Sequence, residues 1–138
     1  MIFFFDENIS YRAVQILEIF DRENEVRAHK DHFEPSTPDI DWLVQVSGWD
    51  TKPVVVCGDG RILSRQSERL VLRDCALVFV FLAKGWTNES WHNFAWKIVK
   101  VWPDIVRNVS HTRQPAIFEV NCGSLKVERR GLISDIRG

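Results

Sequence analysis

The chain has 138 residues, which fits one domain by the usual span of roughly 100–200 residues per domain. Its 18 Lys+Arg against 19 Asp+Glu give a formal charge of −1, which excludes both a basic nucleic-acid-binding tail and an acidic disordered chain. Apolar residues are 45% and aromatics 12%, enough for one packed core, and no apolar run approaches the roughly 20 residues of a membrane helix.

The elements alternate along the chain. Ile2 to Phe5 is a continuous apolar run that meets Asp6 at once, so it reads as a buried strand and not as a signal peptide. Asn8 suits a helix N-cap, and Ile9, Ala13, Ile16, Leu17 and Phe20 lie on one helix face. Glu25 to His29 reads as a short strand, and the nine-residue segment Lys30–Pro38 as a loop. Thr37 or Asp39 can cap a helix over Asp39–Ser47, with Ile40, Leu43, Val44 and Ser47 inward and Gly48 as its stop. Pro53–Cys57 is a β-branched run ending in Gly58-Asp59-Gly60, and a helix follows over Ile62–Asp74. The longest apolar run, Ala76–Ala83, holds a strand over Ala76–Leu82. Asn88 can cap a helix bearing Trp91, Phe94, Ala95, Ile98, Val101 and Trp102, which Pro103 ends or kinks. Ala116–Val120 and Ser124–Glu128 flank Asn121-Cys122-Gly123 as a hairpin.

Strands alternating with helices predict an α/β fold with a mainly parallel central sheet covered on both faces. The hairpin is added at the C-terminal end. The expected organisation is a single domain over 1–138, with an α/β body over 1–102 and a C-terminal extension over 103–138. Cys57, Cys75 and Cys122 are odd in number and form no CxxC, so neither a zinc knuckle nor a disulfide framework is implied. The expectation is a reduced, cytoplasmic protein without membrane contact.

In an open parallel sheet the ligand site lies outside the carboxyl ends of the strands. Asp6 and Glu7 follow the first strand there and Asp59 the third. Asp39 and Asp41 open the middle helix and reach the same edge only if Lys30–Pro38 folds over it. Carboxylates gathered on one edge repel one another unless a divalent cation neutralises them, and hard oxygen ligands suit Mg²⁺ or Mn²⁺. Such an ion lowers the pKa of bound water and stabilises charge on a phosphoryl group, which points to a phosphodiester hydrolase. Each acid also has a plain structural role open to it. Asp6 and Asp59 suit turns, and Asp39 and Asp41 favour the helix dipole. Arg61, Arg65, Arg69 and Arg73 recur every fourth residue as a stripe that could track a nucleic-acid backbone, or simply face solvent. Lys84, after the fourth strand, is an accessory phosphate contact or a solvated loop residue. His29 and His32 form an H-x-x-H read as surface. Trp91 and Trp102 read as core, with Trp42, Trp49, Trp86 and Trp96 undetermined.

The opening F-F-F-D-E-N, the later T-P-D-I-D-W, the V-V-V-C-G-D-G-R-I turn and the F-V-F-L-A-K-G-W stretch resemble the PIN-like domains, more narrowly the VapC-like branch. The resemblance covers Ile2 to Trp102 and implies a three-layer α/β/α sandwich and a Mg²⁺- or Mn²⁺-dependent endoribonuclease. Such proteins are commonly toxins paired with an antitoxin and often form homodimers. By the same resemblance Asp6 matches the first metal-binding aspartate and Asp59 the last. Asp39 best matches the acid opening the middle helix, with Asp41 the other candidate. Two positions depart from the family pattern. Cys57 stands where Ser or Thr is frequent, and Arg61 where related chains carry another acid.

Two other functions compete. A PIN-like scaffold without activity would act through protein contacts made by its hairpin. A phosphoacceptor receiver would use Asp6-Glu7 and Asp59, but Lys84 follows the fourth strand where a hydroxyl residue is wanted.

Overall fold

The structure is a computed structural model and describes residues 1–58, 73–112 and 115–131. Its strands are β1 (Ile2–Phe5), β2 (Glu25–Ala28), β3 (Val54–Cys57), β4 (Val78–Leu82), β5 (Ala116–Val120) and β6 (Val127–Gly131). They form one sheet in the order β2-β1-β3-β4-β5-β6, parallel from β2 to β5, with β6 antiparallel at the edge. The described helices are α1 (Tyr11–Phe20), α2 (Asp39–Ser47) and α3 (Trp91–Ser110).

The central strands are apolar at every position because both faces are covered. Phe3, Phe5, Val54, Val56, Val78, Val80, Ala116 and Phe118 face α1 and α3, whose Ala13, Leu17, Ile98, Trp102 and Ile105 complete that core. Phe4, Val55, Cys57, Phe79, Phe81 and Ile117 face the opposite way, against Trp42, Leu43 and Val46 of α2. Alternate residues of each strand thus serve different layers, which gives the α/β/α sandwich. Among the described residues no helix is long and apolar enough to cross a membrane.

Several local expectations are corrected. Asn8 does not cap α1, which starts at Tyr11, and its backbone N–H bonds Asp6 Oδ1 at 3.0 Å in the turn before the helix. Ser10 is the cap, accepting from the Arg12 N–H at 3.2 Å. Ser90 likewise replaces Asn88 as the cap of α3, since Asn88 ends a short 3₁₀ turn, Trp86–Asn88. Pro38 precedes α2 without a side-chain cap. The inner face of α2 is Trp42, Leu43 and Val46, and Val44 is exposed. Trp42 is an i, i+4 partner of Val46, so the large indole sets the rotation of the helix. Phe20 is also exposed. Pro103 neither ends α3 nor interrupts its assignment. The helix runs on to Ser110 with the proline on its exposed side, where water can meet the freed carbonyl of Val99.

The hairpin is present but its second strand starts later than expected, at Val127. Asn121 Oδ1 accepts from the N–H groups of Gly123 and Ser124, and Leu125 takes a φ of 59°, which lengthens the turn. The helix expected over Ile62–Asp74 lies mostly outside the described residues, where 73–75 are helical.

Trp102 joins the layers. Its ring lies 4.7 Å from Phe3 and 5.7 Å from Phe5 by centroid, and its Nε1 donates to Asp21 Oδ2 at 2.9 Å. Trp102→Ala is expected to cost about 3–5 kcal/mol, read as a fall in the urea midpoint at unchanged m-value. A midpoint within error of the parent's would show that this packing contributes little.

Candidate metal centre at the carboxyl edge of the sheet

The chain leaves β1 for β2 on one side and then crosses back to β3 on the other. The strand order therefore reverses at β1, and the gap between the ends of β1 and β3 is the place where such sheets bind ligands. Asp6 sits in that gap. Its backbone N–H donates to the Val56 carbonyl at 3.0 Å, so the β1–β3 pairing itself fixes the residue.

The Asp6 side chain is 7% exposed. Burial raises its carboxyl from an ordinary 3.8 to about 7, against hydrogen bonds from the backbone of Asn8 and Gly58 and from the Cys57 thiol. The charge of Asp39 is a smaller contribution in the same direction, so Asp39, 33 residues on in the sequence, lies near enough for its charge to act on Asp6. Its own carboxylate is steered by the buried Trp42, whose Nε1 donates to Asp39 Oδ1 at 3.0 Å. Asp41 is exposed in the same first turn and is not among the charges acting on Asp6.

The loop after β2 makes this meeting happen. Its start is pinned to α1, where Tyr11 Oη donates to Asp31 and the Lys30 ammonium lies 3.9 Å from the Tyr11 ring centroid. Further on, Glu7 Oε2 accepts from the Ser36 N–H at 3.1 Å, and Ser36 takes a φ of 62° there. Glu7 is therefore a strap for the loop. Lys84 is exposed just past β4, at the same edge. Gly58 closes the site from the β3 side. A Cβ at this position would stand 3.3 Å from Thr87 Cγ2 and 3.4 Å from Ile9 Cγ1, so the close approach of three loops favours glycine.

Asp59, Arg61, Arg65 and Arg69 lie outside the described residues. Arg73 is exposed, 4.0 Å from Asp74. His29 differs from the expected surface residue. It is 2% exposed among Phe4, Phe33 and Trp42, with neither ring nitrogen hydrogen-bonded, while His32 is exposed. Among the described residues no group of three or more His, Cys, Asp or Glu converges on one point. The pair that does meet suits a hard cation, because a divalent ion beside Asp6 and Asp39 would offset both the burial of one charge and its repulsion by the other.

Sequence reading missed three supporting groups: Trp42 behind Asp39, the Ser36 amide on Glu7, and the Cys57 thiol on Asp6. The T-P-D-I-D-W spacing held the first signal, since Asp39 and Trp42 are an i, i+3 pair.

The raised Asp6 carboxyl has a consequence for stability. Between pH 3.8 and about 7 the folded chain holds a proton that the unfolded chain has released. Stability without metal therefore falls as pH rises through this window, by at most about 1.4 kcal/mol per pH unit, and levels off above it. Asp6→Asn should remove that slope and leave the apo protein more stable than the parent at pH 8. Parallel urea titrations of the two proteins from pH 4 to pH 8 measure it, and identical slopes would contradict the burial of Asp6.

A family model described as a PIN-like domain matches residues 1–84, more than half of the chain. No curated protein and no solved structure matches the chain.

Proposed function

The chain belongs to the PIN-like domain family, a nuclease-type fold, and on that premise we propose that it is a Mg²⁺- or Mn²⁺-dependent endoribonuclease. The observation that carries this reading is the placement of Asp6, buried at the β1/β3 reversal with Asp39 beside it. Asp6 and Asp39 would hold the ion together with Asp59, with Asp41 as the reserve candidate from the same helix turn. When bound, the ion supplies an activated water at neutral pH and stabilises charge on the scissile phosphate.

The chain's own residues prepare that chemistry. The N–H groups of Asn8 and Gly58 fix the Asp6 carboxylate by hydrogen bonds at the end of β1. Trp42 holds Asp39 in one orientation, and the Glu7–Ser36 strap keeps the loop that delivers it. Lys84 is placed to meet a phosphate at the same edge. Arg61, Arg65 and Arg69 recur every fourth residue in the sequence and would contribute phosphate contacts to an RNA strand. In the biological setting the reading is that of a cytoplasmic toxin restrained by an antitoxin protein and acting as a homodimer.

RNA cleavage by the purified chain should require Mg²⁺ or Mn²⁺ and stop on chelation. Asp6→Asn, Asp39→Asn and Asp59→Asn should each lower kcat/KM by 100-fold or more, at the scale of losing an electrostatic catalytic group. Asp41→Asn should fall well short of that loss. Cleavage that survives exhaustive chelation, or that all three substitutions leave intact, refutes the metal mechanism.

A further inference from the structure

A separate pocket of about 210 Å³ opens beside the carboxyl edge, lined by Asn8, Arg12, Trp86, Thr87, Glu89 and Trp91 among others. It is smaller than the roughly 300–1,000 Å³ of sites for drug-sized ligands and fits a single heterocycle. Two of its walls belong also to the candidate metal centre. Asn8 donates its N–H to Asp6, and Asn8 and Thr87 both pack against the space where a Gly58 Cβ would stand. The pocket and the Asp6 edge therefore share Asn8 as a common wall.

The pocket has a stacking wall. Trp91 is half-buried, backed by Phe94 at 6.1 Å in a stacked arrangement, and the Arg12 guanidinium lies 5.4 Å from its ring centroid. Trp86 is fully buried and fixed by its Nε1 bond to the Val120 carbonyl at 3.0 Å. The polar wall is also fixed. Glu89 accepts from Lys97 Nζ and, at 3.2 Å, from the Cys122 thiol, so its carboxylate is oriented and its charge is balanced. A rigid aromatic face, a planar cation and oriented hydrogen-bonding groups are what a nucleobase uses.

Resting on the ribonuclease reading, we propose that this pocket, with Trp91 and Arg12 as its stacking pair, receives one unpaired base of the RNA next to the phosphate cleaved at Asp6. The base is taken from single-stranded RNA, because a base held in a duplex cannot turn its face to Trp91.

The test measures binding and cleavage together. Fluorescence anisotropy gives Kd for a labelled single-stranded RNA decamer, and for a set of the same decamer carrying one abasic nucleotide at each position in turn. Trp91→Ala should raise Kd about tenfold, in keeping with the loss of one stacked base. Trp91→Phe should restore most of the affinity, and the exposed Arg12→Gln should weaken binding by a smaller factor. One abasic position next to the cleavage site should weaken the parent by a similar factor and leave Trp91→Ala unaffected. Far-UV circular dichroism and the thermal midpoint confirm that the variants are folded, and Arg12→Gln carries the test if Trp91→Ala is not. RNA bound and cleaved by the parent with unchanged Kd in Trp91→Ala and Arg12→Gln overturns the base subsite, leaves the ribonuclease reading standing and leaves the pocket to a protein side chain. A parent chain that neither binds nor cleaves RNA overturns both.

Discussion

The carboxyl group of Asp6 cannot retreat. It follows three buried phenylalanines, and its backbone N–H is committed to the Val56 carbonyl, so the residue's main chain is fixed at the centre of the sheet. A carboxylate in that position must be compensated or neutralised. Three hydrogen bonds from Asn8, Gly58 and Cys57 compensate it in part, and burial still outweighs them. Only a proton or a cation supplies the remainder. The charge state of this edge is therefore set by pH, and a divalent cation bound there would shift it toward the carboxylate.

The second carboxylate makes that demand sharper. Asp39 comes from the far side of the sheet, on a helix packed against the opposite face from α1. Bringing it to Asp6 adds repulsion, which folding would avoid if nothing were gained. The loop that brings it is held at several points, by Tyr11 on Asp31, Lys30 on Tyr11 and Glu7 on the Ser36 amide. Ser36 even accepts the left-handed backbone region, which costs a non-glycine residue about 1 kcal/mol or more. A loop restrained in this way, ending in an acid with its own indole donor, suits a binding edge better than a passive connection does.

Much of this architecture was legible in the residues. The strands stood out because a parallel sheet buried on both faces needs continuous apolar runs, as Ile2–Phe5, Val54–Cys57 and Val78–Leu82 provide. The faces and ends of helices were less so. In α2 the spacing of Leu43 with Val44 competes with that of Trp42 with Val46, and only packing against Phe4 and Val55 chooses between them. Asn8 and Asn88 are good caps by type, but a local turn onto Asp6 and a 3₁₀ turn hold them, and the helices start later, at Tyr11 and Trp91. At the site, Asp6 could be placed from strand position alone. Asp39 and Asp41 are two acids in one helix turn, with Asp39 the better match by resemblance, and in the folded chain it is the charge of Asp39 that acts on Asp6. His29 was read as surface because nothing in a loop tripeptide announces that three aromatic rings will close over it.

Cys57 gives the last step its direction. The Cys57 thiol donates a hydrogen bond to Asp6. A thiol is the weaker donor, so it offsets less of the burial than serine or threonine would. It is also less polar than a hydroxyl and belongs to the buried cluster that holds Phe81 and Trp42. The charged form of Asp6 is left leaning more heavily on what arrives from solution than a hydroxyl neighbour would leave it. The backbone N–H of Gly58, the next residue, bonds the same carboxylate, and a Cβ here would meet Thr87 and Ile9 at 3.3 and 3.4 Å. With a weak donor at 57, a side chain that displaced this N–H would weaken the charged form of Asp6.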